Sequence, residues 1–337
     1  MISYVKIKNF RIHSSYEVNL LDGVNVIIGN NGVGKTSVIE AIYIVLTGKS
    51  WRSNLEVITK QGKGWWRVDI KDDDINKTIK FNGKKSFEIN SKEYLKLPKK
   101  ERIPVVMFEP DDLNLIYGSP ARRRRWLDKL LKSIDDEYHL VFNKFEKVLK
   151  QRNSLLKKQA TYDELFVWDL QFADLASQVI KKRKAIIKIF NEKIPNEYKK
   201  IANKEEILEL KYQSDGINTK QKIINQLQEN YQMELFTKST SIGPQKHDVL
   251  VSFKNQLAAT SASRGENRSI ISSLKNIEYG IKKTNHHNPL ILLDDIMSEL
   301  DENHQINLLN GFEGSQVIIT GVDLPKIKNK NINIIRL

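Results

Sequence analysis

One octapeptide constrains this chain more than any other feature: Gly29-Asn30-Asn31-Gly32-Val33-Gly34-Lys35-Thr36 fits the spacing G-x-x-x-x-G-K-[ST]. It follows the apolar run Val24–Ile28, which reads as a strand. It precedes residues 35–46, where Ile39, Ile42, Tyr43 and Leu46 fall on one helical stripe. Glycines at these positions let backbone N–H groups turn inward around a phosphate, and the helix N-terminus adds partial positive charge. In such a loop Lys35 reaches the β and γ oxygens of a nucleoside triphosphate and the Thr36 hydroxyl binds Mg²⁺. The pattern predicts a strand–loop–helix unit that takes a nucleoside triphosphate and Mg²⁺ through Gly29, Asn30, Asn31, Gly32, Val33, Gly34, Lys35 and Thr36.

A second signal lies far along the chain. Pro289-Leu290-Ile291-Leu292-Leu293-Asp294-Asp295 is an apolar run closed by two carboxylates, the pattern of a strand buried in a parallel sheet. Ligands of such sheets bind at the carboxyl ends of the strands. Asp294 is therefore expected beside the loop, bonded to Thr36 or to Mg²⁺ water, and Asp295 is expected to face the attacking water. Upstream, Ser261-Ala262-Ser263-Arg264-Gly265-Glu266 precedes the helical stripe Ile270, Ile271, Leu274, Ile277 and Ile281, with Ser263 as N-cap. That helix start aims its dipole at an approaching anion.

Between these signals the pattern changes. Residues 1–118 carry short strand-like runs at 2–7, 17–21, 24–28, 67–70 and 105–108. Asn82-Gly83 marks a hairpin turn whose two positions both need positive φ. No glycine occurs from Ser119 to Asp215, and apolar residues recur at helical spacing there, with Trp126, Leu127, Leu130, Leu131, Ile134, Leu140, Val141, Phe145, Val148 and Leu149 on one stripe and residues 165–189 making another. Ser119 and Pro120 open the first of these helices. Strand character returns after about residue 238, at residues 249–253, 289–293 and 316–320. We read an α/β fold, a mixed sheet with flanking helices, made of residues 1–118 and 238–337 and interrupted by a helical insertion at 119–237.

The chain of 337 residues carries a formal charge of +14, and residues 119–200 hold 20 Lys and Arg against 11 Asp and Glu. An excess of this kind points to a polyanion, nucleic acid or anionic lipid, which charge alone does not separate, because Lys and Arg release counterions when they neutralise phosphates. Arg122 to Arg125 occupy consecutive helical positions at about 100° each, so at most two face one surface. Arg124 and Arg125, with Lys181, Lys182, Arg183 and Lys184, are the candidates for DNA phosphates; the alternative is a solvated helix face. There is no cysteine, hence no disulfide and no thiolate metal site. No apolar run is long enough to span a membrane, and the reading is cytoplasmic. His286-His287 reads as loop rather than metal site, and Trp65-Trp66 as core rather than base-stacking residues.

The order of phosphate loop, helical insertion, Ser-x-Gly helix start, acidic strand end and Ser298-Glu299-Leu300-Asp301 resembles the ABC-type ATPase heads. Within them the chain is similar to the RecF family of bacterial recombination-repair proteins, related to the SMC heads. Lys8-Asn9-Phe10-Arg11, Leu46-Thr47-Gly48-Lys49-Ser50-Trp51-Arg52, Phe108-Glu109-Pro110-Asp111-Asp112-Leu113 and Gly118-Ser119-Pro120-Ala121-Arg122 carry the likeness. The resemblance implies a homodimer glued by ATP, each nucleotide held by one loop and by Ser263 and Gly265 of the other chain. It also implies Arg11 near the nucleotide, DNA as partner, and RecR and RecO acting with it to load a recombinase. Departures exist: Gly243-Pro244-Gln245-Lys246-His247-Asp248 only partly fits the family run, Thr320 stands where transporter ATPases place a histidine, and no glutamine occupies 109–112. Two other classes share the phosphate loop. A transporter ATP subunit would lack so long a basic insertion, and a small-molecule kinase would lack the Ser-x-Gly helix start.

Overall fold

The computed structural model describes residues 1–214, 216–283, 288–325 and 332–337. The chain forms two compact units, Met1–Asp112 with Glu278–Leu337, and Leu113–Ile277. The first half of the nucleotide unit contains β1 (Ile2–Phe10), β2 (His13–Asn19), β3 (Val24–Ile28), α1 (Lys35–Thr47), β4 (Trp66–Asp72), β5 (Ile75–Asn82), β6 (Lys84–Ile89), β7 (Lys92–Tyr94) and β8 (Val105–Phe108). The second unit holds α2 (Asn114–Tyr117), α3 (Pro120–Ile134), α4 (Asp136–Lys157), α5 (Tyr162–Ala202), β9 (Leu208–Gln213), α6 (Lys220–Glu229), α7 (Tyr231–Thr237), β10 (Asp248–Phe253), β11 (Gln256–Leu257), α8 (Ala258–Ser261) and most of α9 (Arg264–Lys282). The chain then returns through β12 (Leu290–Asp294), α10 (Glu302–Asn310), β13 (Val317–Gly321) and β14 (Ile332–Arg336).

Two sheets sandwich α1. One is antiparallel in the order β2-β1-β4-β5-β6-β7; the other is parallel in the order β14-β3-β13-β12-β8. Every side chain of α1 from Ser37 to Leu46 is buried, so the single stripe expected from Ile39, Ile42, Tyr43 and Leu46 is too narrow. Val38, Ala41, Ile44 and Val45 are covered as well, as befits a helix that is apolar all round. On the other side of the parallel sheet, Val26, Val106, Ile291 and Leu293 join Leu308 and Phe312 in a second core. Parallel strands covered on both faces read as continuous apolar runs, which is why 24–28 and 289–293 were visible in the sequence.

Several local expectations change. The Asn82-Gly83 hairpin forms, but Gly83 alone takes positive φ (69°), and Asn82 pairs with Lys84 as a strand residue. Ser119 occupies the N-cap before Pro120 without lending its hydroxyl to the helix. Leu140 is exposed, off the buried face of α4. Trp66 is core, stacked on Phe81 with ring centroids 5.7 Å apart, whereas Trp65 is exposed. The second unit is more than helices: β11-β10-β9 form a three-stranded sheet, and the unit extends from residue 113 to 277, beyond the expected 119–237. His286 and His287 lie outside the described residues.

Candidate nucleotide site

The parallel register fixes the site. Asp294 of β12 is paired with Thr320 of β13, and Thr320 with Ile27 of β3, so the carboxyl ends of three adjacent strands are level. The loop that leaves β3 turns there into α1. Gly32 (φ 85°) and Gly34 (φ 101°) adopt left-handed backbone, which glycine takes without a Cβ clash. Gly34 has a second reason to be glycine: a Cβ would lie 2.4 Å from Nε2 of His13. That nitrogen is 3.1 Å from the Gly34 carbonyl and, against a carbonyl, acts as donor, so His13 braces the loop from behind. Asn30, Asn31 and Gly32 are exposed at the rim, Gly29 and Val33 are half-buried, and Lys35 is buried.

The Lys35 ammonium donates to the carbonyls of Gly29 (2.8 Å) and Asn30 (2.9 Å), which fold it across the loop. The Thr36 hydroxyl donates to Asp294 Oδ1 at 2.8 Å, and the Thr320 hydroxyl donates to the same oxygen at 2.8 Å. Burial pushes the Asp294 carboxyl above the usual carboxylate range, against the lowering pull of those two hydroxyls. Asp295 takes φ 54°, uncommon for a residue with a side chain, and its N–H points at Thr320 Oγ1 (3.1 Å). Residues held in left-handed backbone concentrate at working sites, where surrounding structure over-determines them. Thr320 thus orients both carboxylate residues, a role the sequence reading missed. The signal was present: a hydroxyl residue near the end of an apolar run, in the strand between the loop and the acidic pair.

Arg11 is bonded within the fold. Its guanidinium is forked onto Glu40 (2.9 and 2.8 Å) and donates to Ser53 (2.6 Å). Glu40 is fully buried in α1 and also accepts from Ser50 at 2.6 Å, so it ties the first strand and the 50–53 turn to the helix behind the loop. Arg11 is an anchor of that helix here.

In the second unit, Ser263 and Glu266 form a reciprocal cap: Ser263 N–H donates to the Glu266 carboxylate (2.8 Å) and Glu266 N–H to the Ser263 hydroxyl (3.3 Å). Gly265 is exposed and nothing crowds its Cβ position. The basic residues divide sharply. Arg183 is 1% exposed, forked onto Asp128 (2.8 Å from both Nε and Nη2) and bonded to the Pro244 carbonyl at 2.6 Å. Although burial opposes it, Asp128 holds this guanidinium above its ordinary value. The expectation that Arg183 meets DNA is therefore corrected: it is an internal cross-link. Arg123 is likewise forked onto Asp248 (2.8 and 2.7 Å). Arg124 is half-buried, donates to the His247 carbonyl at 2.6 Å, and is pulled below its ordinary value by burial and by Arg183. Lys182 pairs with Asp135 (2.8 Å) and Glu137 (2.7 Å). Arg125, Lys181 and Lys184 remain exposed. The divergent Gly243 to Asp248 loop receives three of these arginines and so serves as their internal counterpart.

The parallel sheet, the glycine loop opening α1 and the acidic end of β12 define an ABC-type P-loop ATPase head. The family described as AAA ATPase domain matches residues 1–333. The DNA replication and repair protein RecF of Streptococcus uberis is 35% identical over 98% of this chain and 98% of its own length. That of Clostridium perfringens is 32% identical, covering 100% of this chain and 98% of the relative. The solved structure of the recombination mediator protein RecF-ATPrS in the RecFOR pathway has a TM-score of 0.87 at 27% identity, covering 99% of this chain and 96% of that one. An SmcHead bound to the C-winged helix domain of ScpA has a TM-score of 0.56 at 14% identity, a likeness of fold. The chain belongs to the RecF family of DNA replication and repair proteins. Among the described residues no helix is long and apolar enough to cross a membrane.

Proposed function

We propose that this chain is an ATP-dependent DNA-binding protein of recombinational repair whose slow ATP hydrolysis acts as a switch. The observation that carries the reading is the set formed by Thr36, Thr320 and Asp294 at the mouth of the loop, two hydroxyls on one buried carboxylate oxygen. Hard oxygen donors of this kind suit Mg²⁺. A divalent ion would keep Asp294 charged against the burial that pushes its titration up, so the residues fit the ion. Thr36 and Asp294 would hold it, and when bound it would neutralise charge developing on the phosphate oxygens.

The chain's own groups do the rest. Backbone N–H groups of residues 29–36 cradle the phosphates, and Lys35 exchanges its two carbonyl partners for β and γ oxygens. Asp295, held by Thr320, takes the proton of the attacking water. An aspartate is one methylene shorter than the glutamate common in fast ABC ATPases, which supports slow turnover. Ser263 and Gly265, at a capped helix start that leaves N–H groups available, suit the γ-phosphate of a nucleotide carried by a second copy, giving an ATP-dependent homodimer. Arg125, Lys181 and Lys184 are the exposed cations offered to DNA phosphates, without sequence preference. RecO and RecR as partners, and action at gaps or junctions, follow from the family resemblance, and the solved relative described as a recombination mediator in the RecFOR pathway supports the first of these. The full-length likeness to RecF proteins weighs against a transporter subunit.

Gel-shift retention of labelled DNA with and without ATP and Mg²⁺ tests this reading. Retention that requires ATP and falls steeply with salt is expected; equal retention in the absence of nucleotide would contradict the switch.

A further inference from the structure

A cleft of about 520 Å³ opens in the nucleotide unit, away from the phosphate loop, between the end of α1 and the β5–β6 hairpin. Lys49, Lys84 and Lys85 line it, with Ser53, Asn54 and, as the acid at its edge, Glu56. Lys49 and Lys84 are exposed and Lys85 is half-buried. The Lys85 ammonium donates to the Gly48 carbonyl at 3.1 Å, leaving two of its protons for another partner. Ser53 accepts from Arg11 and so turns its own hydroxyl proton away from that contact. The site is built on fixed backbone. Gly48 closes α1 in left-handed conformation (φ 76°), where a Cβ would press on Phe87 at 3.3 Å, and Gly83 turns the hairpin at φ 69°.

Several cations of this unit are neutralised within the fold: Arg11 on Glu40, Arg67 on Asp69, Lys77 on Asp72 and Lys80 on Glu88. The three lysines that line the cleft stand apart from these pairs, Lys85 being bonded to a carbonyl rather than to a carboxylate. Burial pulls Lys85 below its ordinary value, and Lys49, Lys96 and Arg102 pull it further in the same direction, with no acid opposing them. Such a cluster raises the free energy of the empty protein and is relieved by a bound anion. The partial negative charge at the C-terminal end of α1 is offset locally by Lys85. Lys96 and Arg102, both exposed, extend the positive field beyond the cleft walls. That is the layout of a track for a polymer rather than a cage for one small anion.

We propose that this cleft is a second phosphate site, distinct from the ATP loop, which grips the sugar–phosphate backbone of DNA through Lys49, Lys84 and Lys85. It rests on the DNA-binding reading above and adds a contact surface on the nucleotide unit to the Arg125, Lys181 and Lys184 surface of the other unit.

The test is fluorescence anisotropy of a labelled duplex with the full chain, ATP and Mg²⁺, across a series of salt concentrations. Three phosphate contacts at about 0.9 each predict that Lys49→Gln/Lys84→Gln/Lys85→Gln makes the slope of log affinity against log salt shallower by about 2 to 3. The double variant Lys49→Gln/Lys84→Gln, confined to exposed side chains, is expected to give about two thirds of that change, with ATP binding and thermal midpoint as in wild type. An unchanged slope in both variants, with wild type still binding DNA, overturns this site and leaves the general reading intact. Loss confined to the thermal midpoint of Lys85→Gln, with the slope unchanged, makes Lys85 a helix-end support and also overturns it. Inorganic pyrophosphate binding to wild type but not to the triple variant, without any change in the DNA slope, assigns the cleft to a free anion and overturns the backbone assignment. A wild type that binds no DNA at any salt defeats the DNA reading as well.

Discussion

The carboxylate at the mouth of the phosphate loop and the buried arginines of the other unit treat buried charge in opposite ways. In the nucleotide unit, Asp294 is buried with two neutral hydroxyls on one oxygen and, among the described residues, no ion pair, and burial lifts its titration against the pull of those hydroxyls and of Arg52. In the other unit each buried arginine is closed on carboxylates: Arg123 on Asp248, Arg152 on Asp169 and Glu234, and Arg183 on Asp128. The first arrangement is completed by something that binds; the second is complete in the folded chain. Net charge therefore marks a unit without marking its surface. The helical region supplies much of the positive excess, yet its most central guanidiniums are withdrawn from any ligand.

Breaking a closed pair should have the largest effect. Arg183→Ala leaves Asp128 buried with a hydroxyl partner, Tyr138, but no cation, and is expected to cost about 3–5 kcal/mol in urea unfolding. Lys35→Ala removes the cation that meets the transferred phosphate; single-turnover hydrolysis should slow by about 10²–10³-fold with little change in unfolding. Asp294→Asn should separate function from stability. It abolishes Mg²⁺-dependent turnover while raising the stability of the nucleotide-free protein by about 0.5–1 kcal/mol, because a strained buried charge is gone. The sign follows from linkage. A carboxyl whose folded titration lies above its unfolded one loses stability as pH rises through that interval, so the advantage of the Asn variant should grow with pH and vanish below the ordinary carboxylate range. The smallest change is expected one residue from the largest: Lys184→Ala should stay within about 0.5 kcal/mol. A cost like that of Arg183→Ala would erase the contrast between closed and exposed cations.

How much was legible followed from locality. The phosphate loop, the Ser263 cap and the acidic strand end announce themselves because each is a contiguous run whose neighbours are also diagnostic. The buried arginines do not, since their partners lie 55 residues away in the case of Asp128 and Arg183, and 125 in the case of Arg123 and Asp248. One local clue did exist. Arg183 stands in phase with Val179, Ile180, Ile186, Ile187 and Phe190, and Arg152 with Phe145, Val148 and Leu156, all buried. A basic residue on the apolar stripe of a long helix is a buried residue in search of an acid, and Asp169 beside Leu165 and Phe172 carries the same mark. Strands β9 and β14 escaped notice, the one because Leu208, Leu210 and Tyr212 alternate briefly after a long helical stretch, the other because its residues Ile332–Arg336 are incompletely covered.

Most decisive is a mixing experiment on the proposed shared nucleotide, with Lys35 from one copy and Ser263 from another. Lys35→Ala removes the cation at the phosphates, and Ser263→Arg puts bulk and charge at the helix start, so neither variant alone is expected to dimerise with ATP. In a mixed dimer one site carries both defects and the other is intact. Light scattering of an equimolar mixture in ATP and Mg²⁺ should therefore recover a dimer population that neither variant forms alone. No recovery at any ratio, or ATP-dependent dimerisation by Ser263→Arg on its own, would contradict the shared site.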